Sequence, residues 1–248
     1  MPSETNTRTE LPRLAPADAE ASTPVPRRRE RLAAATGIVF VALQLALPLL
    51  LAGAPAADDP VPVIRAYLVD HGGNLLTAAT LDAVAAFFFL WFLGSLRARL
   101  ATAEGPPGQL TTIAVGAGLV TIALAVTASL PAVALAWNDS AASADSSLLR
   151  AIWNLSTLAF VPIGASAAAF ALAVALIVFH TRFMPAWIGW IGVLATILGV
   201  VSIFELLADG PNTLLELANV AGFLSGIAFI LLLSVFMVIH PNPAASTT

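Results

Sequence analysis

Six polar side chains lie within or beside long apolar runs of the sequence, where ionisable groups are rare. Asp82 interrupts the second of these runs, and the others lie near the ends of later runs: Arg150, Asn154, Glu205, Glu216 and Asn219. A carboxylate in apolar surroundings can act as a general acid, as a proton or cation site, or as a partner for an amide. These six residues are therefore the candidate intramembrane polar site.

Residue types that are missing exclude several classes of site. The chain has no Cys, which removes disulfides, zinc–thiolate sites, iron–sulfur clusters and thiol nucleophiles. All 11 basic residues are Arg, so no Lys can form a Schiff base with retinal or pyridoxal phosphate. The three His fall in separate segments, so we expect no metal or haem site and predict no cofactor. The net charge of −4 predicts no nucleic-acid partner.

The overall composition places the chain in a membrane. Hydrophobic residues make up 58 % of its 248 residues, and charged residues make up only 10 %. Soluble globular chains contain about 45–50 % apolar residues, on a count that includes Gly, and about 25 % charged residues. So few ionic side chains cannot cover the surface of a soluble globule, and the lipid bilayer is the predicted environment.

Six apolar stretches are long enough to cross a bilayer, which requires about 20 apolar residues of helix. Trimmed at Pro, Gly and polar clusters, they predict transmembrane helices near residues 33–52, 75–96, 111–137, 151–179, 186–207 and 216–239. The sequence lacks the alternating pattern of barrel strands. The predicted fold is all-α, a polytopic bundle of six transmembrane helices with a disordered N-terminal tail.

The distribution of Arg predicts the orientation. Six of the 11 Arg lie in residues 1–31, a polar segment without apolar periodicity that we expect to be a disordered cytoplasmic tail. Residues 32–240 then form the transmembrane domain, residues 241–248 form a short C-terminal tail, and only Arg65 and Arg150 lie outside. The predicted location is the plasma (inner) membrane, with both termini cytoplasmic.

The depth of Asp82 predicts where its side chain points. It lies seven residues into the second predicted helix, about 10 Å below the outer interface. An ionised Asp near the bilayer centre costs about 2.5–3.5 kcal/mol, so Asp82 is expected to face the bundle interior.

Two hypotheses account for the six polar residues. In the first, they line one outward-opening polar cavity, with Asp82 at its floor and Arg150 near its rim. In the second, they form interhelical hydrogen bonds, each worth about 0.6–2 kcal/mol, that only fix the bundle. Gln44 in the first predicted helix is a further intramembrane amide that could take part.

The first outer loop predicts a short surface helix. Apolar residues recur at helical spacing after Pro60, and Gly72-Gly73 is expected to end this helix before the second span. The helix could serve as a lid over an outward-facing pocket or as an amphipathic connector lying on the headgroups.

Two small-residue patterns could bring helix backbones close together. They are Gly222-x-x-x-Gly226 and Ala195-x-x-x-Gly199. Gly222 and Gly226 could join two copies of the chain in a homo-oligomer, although packing within one bundle is the commoner use of such patterns.

Three segments together give a family resemblance. They are RLAAATG at residues 31–37, FLWFLGSLRAR at residues 89–99 and FMPAWIGWIG at residues 183–192. On these segments, residues 30–240 resemble an uncharacterised, domain-of-unknown-function family of six-helix integral membrane proteins of actinobacteria. The resemblance implies a six-helix fold and a membrane location, and it supplies no catalytic residues.

Three functional classes follow from these observations. The preferred class is a non-enzymatic membrane protein that binds a small ligand or lipid, or serves as a partner subunit, through a polar site in the outer half of the bundle. The second is a proton- or cation-coupled transporter of small molecules that uses Asp82. The third is an intramembrane enzyme with Asp82, Glu205 or Glu216 as general acid. Enzyme motifs are lacking, so no catalytic residue is assigned.

Labelling of intact cells tests the predicted orientation. Because the chain has no Cys, a single introduced Cys provides a unique labelling site. A membrane-impermeant thiol reagent should modify Asp58→Cys in intact cells and should modify Thr102→Cys only after lysis, because the Arg-rich loops stay inside. Modification of Thr102→Cys in intact cells would contradict the orientation.

Overall fold

The computed structural model describes residues 27–207 and 212–240, and all regular structure in these ranges is helical, with no strand. The α-helices are α1 (Arg27–Leu50), α2 (Val61–Glu104), α3 (Gln109–Ala128), α4 (Leu130–Ala136), α5 (Ser140–Ser143), α6 (Ser146–Leu158), α7 (Val161–Thr181), α8 (Ala186–Ser202) and α9 (Thr213–Ile239). Two 3-10 turns follow α4 and α8, at Trp137–Asp139 and Ile203–Leu207. Six helical stretches are long and apolar enough to cross a membrane, so the all-α, six-span prediction is confirmed.

The membrane-crossing helices form a closed ring. Each packs against the next in the order α1, α2, α3, α7, α8, α9, and α9 returns to pack against α1. Four phenylalanines from four different helices meet in the middle of the ring, with neighbouring ring centroids 4.9–6.5 Å apart: Phe40, Phe89, Phe170 and Phe229. These four side chains are buried, so this part of the interior is a packed aromatic core.

Three of the helical stretches are much longer than a bilayer is thick. The stretches Val61–Glu104, Gln109–Ser143 and Ser146–Thr181 contain 44, 35 and 36 residues. At about 1.5 Å per residue they extend roughly 50–66 Å, against a hydrocarbon thickness of about 30 Å. Each stretch therefore has a segment that extends beyond the ring, and all three segments lie at the same end of the bundle.

The extending segments pack together in what we call the helical cap, which consists of residues 61–76 of α2 together with α4, α5 and α6. The cap has its own apolar core, separate from that of the ring. Its largest buried side chains are Ile64, Tyr67, Leu68, Leu75, Leu135, Leu149 and Trp153. The protein thus has two hydrophobic cores, one inside the ring and one inside the cap.

Two arginines hold the cap together. The guanidinium of Arg65 donates hydrogen bonds to the carbonyl oxygens of Ala141, Ala142 and Ala144, at the end of α5. Carbonyl groups at the end of a helix have no partner within it, and a guanidinium can satisfy several of them at once. Arg150 of α6 donates in the same way to two carbonyl oxygens of the loop that joins α1 to α2, those of Ala57 and Asp59.

The prediction of a separate short surface helix in the first outer loop is wrong. The helix that begins at Val61 does not end at Gly72-Gly73 but continues as α2 to Glu104. Two glycines inside a helix cost about 1 kcal/mol each relative to Ala, but the cap packs against this part of α2. A Cβ at Gly72 would lie 3.7 Å from the Cβ of Ala136, so α4 passes close to the backbone here. The segment is thus neither a separate lid nor a connector on the headgroups.

The ends of three predicted helices also differ from the prediction. The third membrane-crossing helix ends at Ala128 and the fourth begins at Val161, so much of the apolar sequence between them belongs to the cap. Pro131 and Pro162 occupy the second positions of α4 and α7, where a missing N–H is tolerated. At the other end, α1 begins at Arg27, within the segment expected to be a disordered tail. Residues 1–26 and 241–248 lie outside the described residues.

The small-residue patterns bring α7, α8 and α9 close together. A Cβ at Gly199 would lie 2.9 Å from the carbonyl oxygen of Gly164, so the backbones of α7 and α8 are nearly in contact. Gly222 of α9 faces Leu198 of α8, whereas nothing lies within 4 Å of a Cβ placed at Gly226. Gly222 therefore contributes to packing within the bundle, and a homo-oligomer through Gly222 and Gly226 stays a prediction.

Substitution of Gly164 tests the close approach of α7 and α8. In Gly164→Ala the new Cβ would lie 2.5 Å from the Ser202 hydroxyl oxygen and 2.7 Å from the Gly199 carbonyl oxygen. We expect a loss of about 1–3 kcal/mol in the free energy of unfolding, measured in detergent, because the helices must separate. Gly116→Ala on α3 is the matched control, since nothing lies within 4 Å of its Cβ and Ala is the better helix former. Equal stability of the two variants would contradict the packing described.

Candidate functional site

A hydrogen-bonded pair of polar side chains is buried between α1 and α2. The Gln44 amide nitrogen Nε2 donates to Asp82 Oδ1 over 2.9 Å. Each side chain is only 8 % exposed, so Asp82 faces the bundle interior as its desolvation cost requires. Gln44 lies six residues before the end of α1, which places the pair about 9 Å below that end of the helix.

The other predicted site residues lie in two further places. Arg150 and Asn154 are one turn apart on α6, in the cap. Near the end of the bundle where α8 meets α9, the Asn219 amide nitrogen Nδ2 donates to Glu205 Oε2 over 3.4 Å, and Glu216 is exposed in the first turn of α9.

The structure joins only some of these residues directly. Within residues 27–207 and 212–240, no hydrogen bond links Asp82 to any of the other five predicted residues. A shallow depression of about 370 Å³ on the cap is lined by residues of α2 and α6 that include Val61, Arg65, Asp70 and Ser146, and by none of the six. One shared polar cavity therefore stays a prediction.

A cluster of aromatic side chains fills the contact between α2 and α6 in the cap. Tyr67 stacks on His71, one turn further along α2, with ring centroids 4.7 Å apart. The edge of Trp153 from α6 meets Tyr67 with centroids 6.2 Å apart. Tyr67 and Trp153 are each only 6 % exposed, so the two helices bury their aromatic faces against each other.

Three buried polar atoms of this region have no hydrogen-bond partner among the described residues. They are His71 Nδ1, Trp153 Nε1 and Asn154 Oδ1. The indole nitrogen is a donor, the amide oxygen is an acceptor, and an imidazole nitrogen can be either. A buried polar atom without a partner costs about 1–3 kcal/mol, and native structures contain few of them. All three atoms belong to α2 and α6, the two helices that the aromatic cluster joins.

The position of α6 depends on two polar contacts outside the membrane-crossing helices. Asp145 caps the helix, since its Oδ1 accepts hydrogen bonds from the Ser147 amide and hydroxyl. The hydroxyl and amide hydrogen bonds from Ser147 lower the pKa of Asp145, which is fully exposed, so the cap bond persists to a lower pH than it would with an ordinary carboxyl group. Further along, Arg150 ties α6 to the loop after α1.

The sequence analysis did not select Tyr67, His71 or Trp153 as site residues. A signal for them was present in the helical spacing of the segment after Pro60, where Ile64, Tyr67, Leu68 and His71 share one face. Leu149, Trp153 and Ser156 repeat the pattern on α6 and are buried. Each pattern alone predicts only an amphipathic helix; the contact between the two helices identifies the cluster.

Comparisons with known proteins add no assignment. No family model matches the chain, and neither a curated protein nor a solved structure is similar to it at a significant level. The resemblance to an actinobacterial family of six-helix membrane proteins therefore stays a prediction, and the site rests on geometry alone.

A double-mutant cycle tests the role of the Gln44–Asp82 pair. Asp82→Leu and Gln44→Leu should each lower the free energy of unfolding by about 1–3 kcal/mol, because each leaves one buried polar group without its partner. The double variant should lose less than the sum of the two, and Asp82→Asn should stay near wild type because its amide oxygen can still accept from Gln44. Strictly additive losses would show that the pair is not coupled.

Proposed function

We propose that the protein is a non-enzymatic, multi-pass membrane protein that binds a small uncharged ligand in the outer half of the molecule. The site lies between α2 and α6, in the cap. The observation that carries this proposal is the group of three buried polar atoms without partners, on His71, Trp153 and Asn154. Their cost to stability is offset when a ligand supplies the missing hydrogen bonds.

The chemistry of the three atoms defines the ligand class. A ligand must accept a hydrogen bond from the Trp153 indole and donate one to the Asn154 amide oxygen. A hydroxyl group does both. The nearby cation Arg150 is engaged with backbone carbonyl oxygens, so it does not call for an anionic group. We therefore propose polyols and small sugars as the ligand class.

Binding is supported over transport and catalysis by the surroundings of Asp82. Its carboxyl is bonded to Gln44, an arrangement typical of interhelical contacts. About two turns further along α2, Phe89 belongs to the packed phenylalanine core, which fills the middle of the ring. A carboxylate in that environment stabilises the association of α1 with α2.

The orientation in the membrane is part of the same proposal. With the Arg-rich ends of α1 and α2 in the cytoplasm, both termini are cytoplasmic and the cap faces the outside of the plasma membrane. The asymmetry of Arg supports this arrangement. A polyol dissolved outside the cell then reaches the cap without crossing the bilayer.

Fluorescence of Trp153 tests ligand binding. The other four Trp are exposed, so replacing Trp91, Trp137, Trp187 and Trp190 by Phe leaves one buried indole as the reporter. Titration with glycerol and with trehalose should give a saturable change in Trp153 emission. Asn154→Leu should weaken binding at least about fivefold, because it removes one hydrogen bond of about 1 kcal/mol.

Asn74→Leu is the matched control for this experiment. It makes the same chemical change on α2, at an exposed position one turn from His71, and should leave binding unchanged. If neither polyol gives a saturable change, or if both Leu variants bind as wild type does, the cluster is a structural contact and the proposal fails.

A further inference from the structure

A shallow groove lies on the outer surface of the bundle between α1 and α2, near the Arg-rich end. Ala33 forms one wall, and Leu90, Trp91, Gly94 and Ser95 form the other, enclosing about 410 Å³. Nothing lies within 4 Å of a Cβ placed at Gly94, so the groove is open beside this residue. Trp91 is 58 % exposed beside it. The groove opens toward the surrounding lipid.

The side chains that line the groove are mostly apolar. Its one hydroxyl, on Ser95, donates to the carbonyl oxygen of Phe92 over 2.7 Å and is therefore satisfied within α2. The remaining lining atoms belong to Ala, Leu, Trp and Gly. An acyl chain of a membrane lipid can lie there without leaving the Ser95 hydroxyl unpaired, and it gains van der Waals contacts with the lining.

Positive charge flanks one end of the groove. Arg29 lies four residues before Ala33, and Arg97 lies three residues after Gly94. Because α1 and α2 pack side by side in opposite directions, both arginines lie about one turn beyond the groove at the same end. Both are exposed. The first turns of α1 carry Arg28, Arg29 and Arg31 against the single acid Glu30, so this end is positive overall.

A neighbouring arginine has a different role. The guanidinium of Arg99 donates to the carbonyl oxygens of Met237 and His240 at the end of α9. It therefore satisfies the end of a helix, as Arg65 does in the cap. Arg29 precedes Ala33 by about one helical turn and Arg97 follows Gly94 by about one turn, so each of these exposed cations lies on the same helix face as the wall that it flanks.

We propose that this groove binds one anionic phospholipid. An acyl chain lies against Trp91 and Gly94, and the phosphate lies at the end flanked by Arg29 and Arg97. The charge argues against a second copy of the chain as the occupant, because a parallel two-fold pair would bring the same arginines of both copies together. An anionic headgroup is attracted to the same charges. This inference is independent of the polyol site in the cap.

Lipid binding to the purified full-length protein tests the headgroup. Native mass spectrometry should show phosphatidylglycerol bound more tightly than phosphatidylcholine with identical acyl chains. Arg29→Gln and Arg97→Gln should each reduce that preference about fivefold, the effect of about 1 kcal/mol for one cation near a lipid surface. Arg182→Gln, between α7 and α8, is the matched control and should keep the preference. Equal binding of the two lipids to wild type would overturn the proposal.

Filling the groove tests the acyl chain. Gly94→Leu should reduce retention of both lipids alike, and Gly116→Leu, at an exposed glycine of α3 with the same open surroundings, should not. The open space beside both glycines lets either variant fold. If Gly94→Leu retains lipid as wild type does, the lipid lies elsewhere. If instead it abolishes a concentration-dependent dimer, the occupant is a second copy and the lipid proposal fails.

Discussion

The thickness of the bilayer is the constraint on which the rest of the structure depends. Three helical stretches of 35–44 residues exceed what about 30 Å of hydrocarbon can cover. Their extending segments still carry apolar faces, and those faces pack against each other. Residues 61–76 therefore pack against α4 and α6, and the helices on either side are interrupted near Ser129 and Ala159, where the cap meets the ring. Two cores result, and the polar contacts divide between them.

The buried polar side chains make different kinds of hydrogen bond in the ring and in the cap. In the ring, Gln44 and Asp82 satisfy each other and join α1 to α2. In the cap, Arg65 and Arg150 satisfy carbonyl oxygens that short helices and loops leave open. The polar atoms of His71, Trp153 and Asn154 have no such partner among the described residues, and the proposed binding site rests on that difference.

The sequence predicted what depends on composition and missed what depends on distant contacts. Charge-free apolar runs predicted six crossings, and the desolvation cost of Asp82 predicted its inward orientation. Both predictions follow from the free energy of placing a single residue or a single helix in lipid, which does not depend on distant contacts. The cap was missed because the apolar residues of α4 and α6 have the composition of a membrane span, whether they are covered by lipid or by α2. Only the contact between residues 61–76 and α6, more than 70 positions apart, separates the two cases. Pro131 and Pro162 marked the interruptions, but a proline alone does not tell a kink from a new helix.

Closure of the ring has a consequence for how the protein is made. Ser234 on α9 donates to the carbonyl oxygen of Ala34 on α1, across 200 positions of the chain. Until α9 has been synthesised, α1 has no neighbour on that side. At about 5–20 residues per second, this interval is roughly 10–40 s. Helix α1 must therefore remain in the membrane without this neighbour, and the ring can close only after α9 has been synthesised.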